Sequence, residues 1–317
     1  MNAKEKERQK EEKRKQVQED KRRIRSFAEE VEELRGRRWR IKRLGGGLTN
    51  RNYLLSDGAD RYVVRIFGGG GLDINRDREV AILNTIAAAG VGPKVIEYLP
   101  QHSALVMAFC PGKTLENEDL RRPGMIARIA AVLRRCHDFA PPAGLTSFCP
   151  FAVARDYHRK ARRNVPLPDE VKVALQAMSA IEDELKKGAG PSRLCHNDLL
   201  AANFIDDGAV LRLIDWEYGA LGDRFFDLGN LAVNVQLSAA EEETLLKCYC
   251  RAARPADLRR LRLMRLASDM REAMWSFLQA CNKKAPKEPD YYLRRGRKHL
   301  KRFLVANRGL ANAGGRG

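Results

Sequence analysis

His196-Asn197-Asp198-Leu199-Leu200-Ala201-Ala202-Asn203 is the stretch on which the reading of this chain turns. Twelve residues after Asn203 it is joined by Ile214-Asp215-Trp216-Glu217. Residues 194–196, Phe204–Asp206 and Val210–Ile214 are short and β-rich, so strands are expected on both sides of the loop. A loop clamped between strands holds its side chains rigidly; here it carries Asp198 and Asn203, and Asp215 follows the last of those strands. Singly, an Asp in a loop is most often a turn former, and His196 is expected to be a structural, hydrogen-bonded histidine. The ordered combination at this spacing calls for a chemical explanation.

Upstream, Trp39–Arg43, Arg51–Ser56 and Arg61–Phe67 have strand composition, joined by Gly45-Gly46-Gly47 and by the turn signal Ser56-Asp57-Gly58. Asn75–Ala89 has helical periodicity with Gly90 as its stop. Strands Val95–Leu99 and Ala104–Phe109 follow, and Pro111-Gly112 breaks the pattern. Beyond it helices are expected at about 123–139, 152–163, 169–187, 239–250, 256–280 and 289–304, one of them opened by a Ser238/Glu241 capping box. The fold class is therefore α+β: a small strand-rich lobe over 36–110, then a large helical lobe over 111–305, with a tail at 306–317.

Residues 1–35 are a charged extension, helical or disordered, in which Val17, Ile24, Phe27, Val31 and Leu34 follow steps of 7, 3, 4 and 3. That is the rhythm of a helix seam, which suits docking on a lobe or pairing with a second copy as a homodimer. The 317 residues carry a net charge of +18, and residues 251–317 supply most of it with 18 basic against 5 acidic residues. Such a segment is read first as a solvated basic helix surface, because no nucleic-acid motif of defined spacing accompanies it. No apolar run reaches the roughly 18 residues of a membrane span. The charged N-terminus has no signal-peptide core. The seven cysteines lack a paired framework, so reduced thiols in a cytoplasmic protein are expected and a zinc site is not.

The loop matches H-x-D-L-x-x-x-N, and Asp215 falls where the D-F-G segment of kinases follows it. Phosphoryl transfer from ATP accounts for these residue types. The acceptor hydroxyl must be oriented and must lose a proton, for which Asp198 is the candidate base. The triphosphate charge is neutralised by Mg²⁺, a hard cation that takes oxygen ligands, here Asn203 and Asp215.

Further segments carry a family likeness. Leu48-Thr49-Asn50-Arg51-Asn52-Tyr53 is similar to G-x-T-N-x-x-Y, and Leu194 to Asn203 to L-x-H-N-D-L-x-x-x-N. Ile214 to Asn230, IDWEYGALGDRFFDLGN, is similar to the choline kinase signature, and Met274-Trp275 in REAMWSFLQ to the late helix of bacterial choline kinases. Over about residues 39–280 the chain resembles the choline/ethanolamine kinase and aminoglycoside phosphotransferase superfamily, a branch of the two-lobed protein-kinase-like fold. The resemblance implies a nucleotide loop at Gly45–Asn50, including Gly46, Gly47, Thr49 and Asn50, and a phosphate-gripping Arg65. It implies Glu79 as the partner of Arg65, although Arg76 and Arg78 compete for that carboxylate, and Phe109 and Cys110 against adenine.

For the acceptor, choline, ethanolamine or a related small amino alcohol is implied, with Tyr218 and Trp275 as aromatic faces for its ammonium and Glu217 as a nearby carboxylate. Asp223 and Asp227 are further carboxylates; Asp227 is expected to hold the loop. Tyr291 and Tyr292 are further aromatic candidates, read first as core packing. Asn234 stands where eukaryotic choline kinases carry an acid. Two alternatives stay open: a same-fold kinase of thiamine or an aminoglycoside, and a non-catalytic adaptor using the basic 251–317 segment.

Overall fold

Alternating burial along short strands builds the first of two units into which the chain divides, Met1–Ile74 with Gly92–Pro111. The computed structural model describes residues 3–45, 50–68, 75–283, 285 and 287–314. Strands β1 (Arg40–Arg43), β2 (Arg51–Ser56), β3 (Arg61–Ile66), β4 (Val95–Leu99) and β5 (Ala104–Ala108) form an antiparallel sheet in the order β1-β2-β3-β5-β4. Tyr53 and Leu55 of β2, Val64 and Ile66 of β3, and Ala104 and Val106 of β5 share one buried face. A sheet face of this kind must be covered, since each fully buried large apolar side chain contributes about 1.5–3 kcal/mol.

The cover is the N-terminal extension. Helix α1 (Ala3–Ala28) brings Ile24 and Phe27 onto the sheet, and the turns after it bring Val31 and Leu34. Asp20 of α1 is fully buried and accepts hydrogen bonds from Tyr53 Oη and Arg51 Nε, both at 2.6 Å. Burial pushes the Asp20 carboxyl up, but the Arg51 and Tyr53 hydrogen bonds outweigh it and hold it below its ordinary range. The homodimer expected through the seam loses its basis here. Ile24, Phe27, Val31 and Leu34 are spent inside their own unit, and the described side chains that α1 leaves exposed are polar and mostly charged.

The second unit, Asn75–Val91 with Gly112–Gly317, is mainly helical. Its helices are α2 (Arg76–Ala88), α3 (Met125–Asp138), α4 (Pro150–Ala161), α5 (Glu170–Lys187), α6 (Arg224–Asn234), α7 (Ala239–Tyr249), α8 (Pro255–Ala280) and α9 (Pro289–Gly314). Short strands β6 (Lys113–Thr114), β8 (Phe204–Asp206) and β9 (Leu211–Leu213) make one sheet in the order β6-β8-β9. Strands β7 (Arg193–Cys195) and β10 (Ala220–Gly222) pair as a second. Ser238 and Glu241 complete the capping box of α7. No described helix is long and apolar enough to cross a membrane.

Helix α8 is the axis of this unit, packing against α4, α5, α6, α7 and α9. The helices expected from the sequence do not include 224–234, and glycine in a helix interior is locally unfavourable. Tertiary packing decides otherwise. A methyl group on Gly229 would lie 2.6 Å from the Arg265 backbone nitrogen, so glycine is what lets α6 close onto α8. Much of the basic C-terminal charge is spent on acids within the unit: Arg259 on Glu184, Arg260 on Asp223, Arg265 on Glu242 and Arg302 on Asp269.

Candidate active site

The loop between β7 and β8 is held almost atom by atom. The His196 and Asn197 backbone N–H groups donate to the two oxygens of Asp227, each at 2.8 Å. Asp227 is buried at the start of α6 and also accepts from His137 Nε2 at 3.0 Å, with Tyr249 Oη 2.7 Å from His137 Nδ1. Burial pushes the Asp227 carboxyl up, but His137 and the backbone donor of His196 prevail and hold it below its ordinary range. Asp227 is thus a loop anchor, as expected, and Asp223, N-cap of α6 and partner of Arg260, is equally occupied.

His196 is structural by its hydrogen bonds alone. Its Nε2 lies 2.9 Å from the Ile214 carbonyl, which can only accept, and its Nδ1 lies 3.2 Å from the Asp198 N–H, which can only donate. One neutral tautomer satisfies both and leaves neither nitrogen for proton transfer. The Leu199 N–H donates to Asn230 Oδ1 at 2.6 Å, and Asn234 Nδ2 donates to the Leu199 carbonyl at 3.0 Å. An acid at 234 could not make the second bond. Asn197 takes a left-handed φ of 65°, and Asp215 one of 68°, both unusual for residues other than glycine. Such strain persists only where surroundings over-determine it.

Among the polar side chains of the loop, Asp198 is the one left partly open, 25% exposed. Burial lifts its carboxyl above the ordinary range, and the adjacent Arg271 guanidinium pulls it back toward ionisation. Asn203 donates its Nδ2 to the Asp198 carbonyl at 2.9 Å, which fixes the amide and turns its Oδ1 away from that bond. The Ile214 N–H donates to the Asn203 carbonyl at 2.9 Å, tying the two candidate metal ligands together through the backbone. An amide oxygen and a carboxylate are hard donors, so Asn203 and Asp215 fit Mg²⁺.

The acceptor residues are arranged differently from the expectation. The Arg271 guanidinium, 3% exposed, lies 5.2 Å from the Tyr218 ring centroid and 5.9 Å from that of Phe148, with Nη1 3.4 Å from Asp198 Oδ1. The same Nη1 donates to Glu272 Oε1 at 2.9 Å. Glu272 is held in turn by Arg295 at 2.6 Å, and the Arg295 guanidinium sits 5.2 Å from the Trp275 ring centroid. Both aromatic side chains expected to face a substrate ammonium therefore carry an arginine of the chain itself. Trp275 also meets Tyr292 edge to face, and among the described residues no ring contact joins Tyr218 to Trp275. Glu217 is nearly buried, with Arg76 3.8 Å away. Among the described residues, two buried side-chain polar atoms have no hydrogen-bond partner, Asn197 Oδ1 and Arg271 Nε.

Of the nucleotide candidates, Gly46, Gly47 and Thr49 lie outside the described residues. In the first unit Asn50 and Arg65 are buried, and Arg65 Nε donates to Asn52 Oδ1 at 3.3 Å. Phe109 follows β5 with the Arg61 guanidinium 4.3 Å from its ring, and the half-buried Cys110 is next to it. In the second unit Glu79 is buried on α2 and accepts from Arg76 Nη1 at 2.6 Å. Arg271, Glu272 and Arg295 were not foreseen as site residues. The signal was the Arg-Glu pair opening REAMW, two charges on a helix whose neighbours are apolar.

Residues 40–264 match the phosphotransferase enzyme family. A probable ethanolamine kinase of Arabidopsis thaliana is 27% identical over 285 residues, covering 79% of this chain and 75% of that protein. Ethanolamine kinase 2 of Rattus norvegicus is 27% identical over 208 residues, covering 60% of this chain and 52% of that protein. The chain thus spans between about half and three quarters of these relatives. A crystal structure of a choline/ethanolamine kinase family protein from Mesorhizobium loti superposes with a TM-score of 0.76 at 29% identity, covering 91% of this chain and 98% of that one.

Proposed function

The chain belongs to the phosphotransferase enzyme family, and on that premise we propose that it transfers the γ-phosphoryl group of ATP to the hydroxyl of a small amino alcohol, with Asp198 as the base. The observation that carries the reading is the division of labour in the loop. His196, Asn197 and Leu199 spend their backbone N–H groups on anchoring the loop, while the Asp198 carboxylate is left one quarter exposed. In the proposed step Asp198 accepts the hydroxyl proton as the hydroxyl oxygen bonds to the γ-phosphorus, and the bond from that phosphorus to the ADP oxygen breaks.

Asn203 and Asp215 would hold Mg²⁺, which when bound supplies neutralisation of the phosphate charge. Arg65 and Asn50, with Gly46, Gly47 and Thr49, are proposed for the phosphates, Glu79 for the support of that site, and Phe109 and Cys110 for adenine. Glu217 is proposed for the substrate ammonium. The guanidinium groups over Tyr218 and Trp275 favour an amine that donates hydrogen bonds to a carboxylate over a quaternary ammonium that needs bare ring faces. The names of the Arabidopsis and rat relatives point the same way, toward ethanolamine rather than choline.

The test is ADP release by the purified chain with Mg-ATP and, separately, choline, ethanolamine, thiamine or an aminoglycoside. Release that depends on an amino alcohol, and disappears in Asp198→Ala, is expected. Undiminished release in that variant would remove Asp198 as base, and release with only thiamine or the aminoglycoside would replace the acceptor class.

A further inference from the structure

We infer that Arg271 is a specificity-determining residue and that the amino alcohol this chain phosphorylates carries a carboxylate beside its hydroxyl; the inference rests on the reading of Asp198 as the base. A buried guanidinium beside the base is itself unexpected. Arg271 is 3% exposed, on the central helix α8, with Nη1 committed to Glu272 Oε1 at 2.9 Å and near Asp198 Oδ1 at 3.4 Å. Its Nε, by contrast, is buried with no hydrogen-bond partner among the described residues. A charged donor shut away from water without an acceptor is costly to leave unmade, and such groups are rare unless a ligand completes them.

The neighbouring charges say what kind of ligand. Glu272 is already compensated by Arg295, which donates to it at 2.6 Å and to Ser276 Oγ at 2.7 Å. Glu272 is thus shared between two guanidinium groups, and Arg271 meets Asp198 at the longer distance of 3.4 Å. The donor left over is the Nε edge of Arg271, and a substrate carboxylate would match it in hydrogen bonding and in sign. A carboxylate is planar and accepts from the Nε edge of a guanidinium in the geometry arginine prefers. A quaternary ammonium has the wrong sign for this position, and the Arg271 guanidinium already lies over the Tyr218 ring, 5.2 Å from its centroid. Because Arg271 and Asp198 are adjacent, carboxylate and hydroxyl must be close on the same small molecule.

Three acceptors isolate the charge. Ethanolamine has the hydroxyl and the ammonium, L-serine adds a carboxylate to that skeleton, and glycolate has the hydroxyl and carboxylate alone. The measurement is kcat and KM for each with Mg-ATP in the wild type, Arg271→Lys and Arg271→Gln, with melting curves for all three proteins in each compound. The wild type is expected to favour L-serine over ethanolamine by roughly tenfold or more in kcat/KM. Arg271→Gln should erase that preference mainly by raising KM for L-serine, and Arg271→Lys should retain part of it. If Arg271→Gln does not fold, the ranking of L-serine and ethanolamine by the wild type decides the matter alone. Preference of the wild type for ethanolamine, or a serine preference untouched in Arg271→Gln, overturns the inference and leaves the kinase reading standing. No turnover of any acceptor, with L-serine and glycolate still raising the melting temperature only when Arg271 is present, would sustain carboxylate binding and remove the proposed reaction instead. No turnover and no such stabilisation overturns both.

Discussion

Two buried polar networks lie side by side in the second unit, and they are built to opposite ends. The first runs from Tyr249 through His137 and Asp227 to the backbone of His196 and Asn197. Its charge is closed by several donors, and its single orphan is a neutral amide oxygen, Asn197 Oδ1. The second runs from Asp198 through Arg271 and Glu272 to Arg295, and its orphan is a donor on a charged guanidinium. A satisfied network rigidifies what it touches, whereas an under-satisfied one is complete only with something added. The difference teaches that burial of charge by itself does not mark a binding group; the unspent hydrogen-bond capacity does.

The largest effect expected is on the exposed end of the second network. Asp198→Ala should lower kcat by about 10²–10⁴-fold, the range of general acid–base catalysis. Initial-rate measurements check it, and a loss smaller than tenfold would make Asp198 a member of the scaffold rather than of the chemistry. At the other network, Asp227→Ala removes the partner of two backbone donors and a buried histidine. It should cost about 3–5 kcal/mol in denaturant unfolding, as breaking a buried charged pair does.

The same carboxylate predicts the sign of the acid response. Its folded pKa lies below its unfolded one, so its stabilisation is full above the ordinary carboxylate range and is lost as pH falls through the lower folded value. Unfolding followed from neutral to acid pH should show this slope in the wild type and a shallower one in Asp227→Ala.

Gly229→Ala sharpens the comparison by straining the α6–α8 contact beneath both networks. A methyl group 2.6 Å from backbone cannot be relieved by a side-chain rotation, and overpacking of this kind costs about 1–3 kcal/mol. The smallest effect is expected at Asn234→Asp, which loses the donor to the Leu199 carbonyl and sets a carboxylate near Asn230 Oδ1. A loss of about 1 kcal/mol is expected by thermal melting, with the ranking of acceptors unchanged. A changed ranking would move Asn234 from the loop scaffold to the substrate.

The strand-rich first unit was largely legible. Arg51–Ser56 and Val95–Leu99 have the bounds expected, and the other three each differ by one residue, because two-residue alternation and turn formers are local signals. The seam of Val17, Ile24, Phe27, Val31 and Leu34 was equally visible, but what it would meet was not: nothing local distinguishes the face of a sheet from a second helix. Helix α6 escaped notice because its glycine is explained only by the backbone of α8. In the site, the loop residues were named by spacing, while Arg271 and Arg295 were passed over as basic residues in a basic segment.

By itself, then, the sequence determined the order of most elements, the loop that presents Asp198 and the short spacing that ties Asn203 to the residue before Asp215, since all three depend on local signals around short strands. Only the tertiary structure decided which charges are buried, which aromatic faces remain bare and which hydrogen-bond donor is left over. Those properties belong to side chains that are far apart in the chain and become neighbours through α8: Arg271 is 73 residues from Asp198 and shares a guanidinium contact with it. Desolvation depends on everything that surrounds a group, and no local pattern of residues records it.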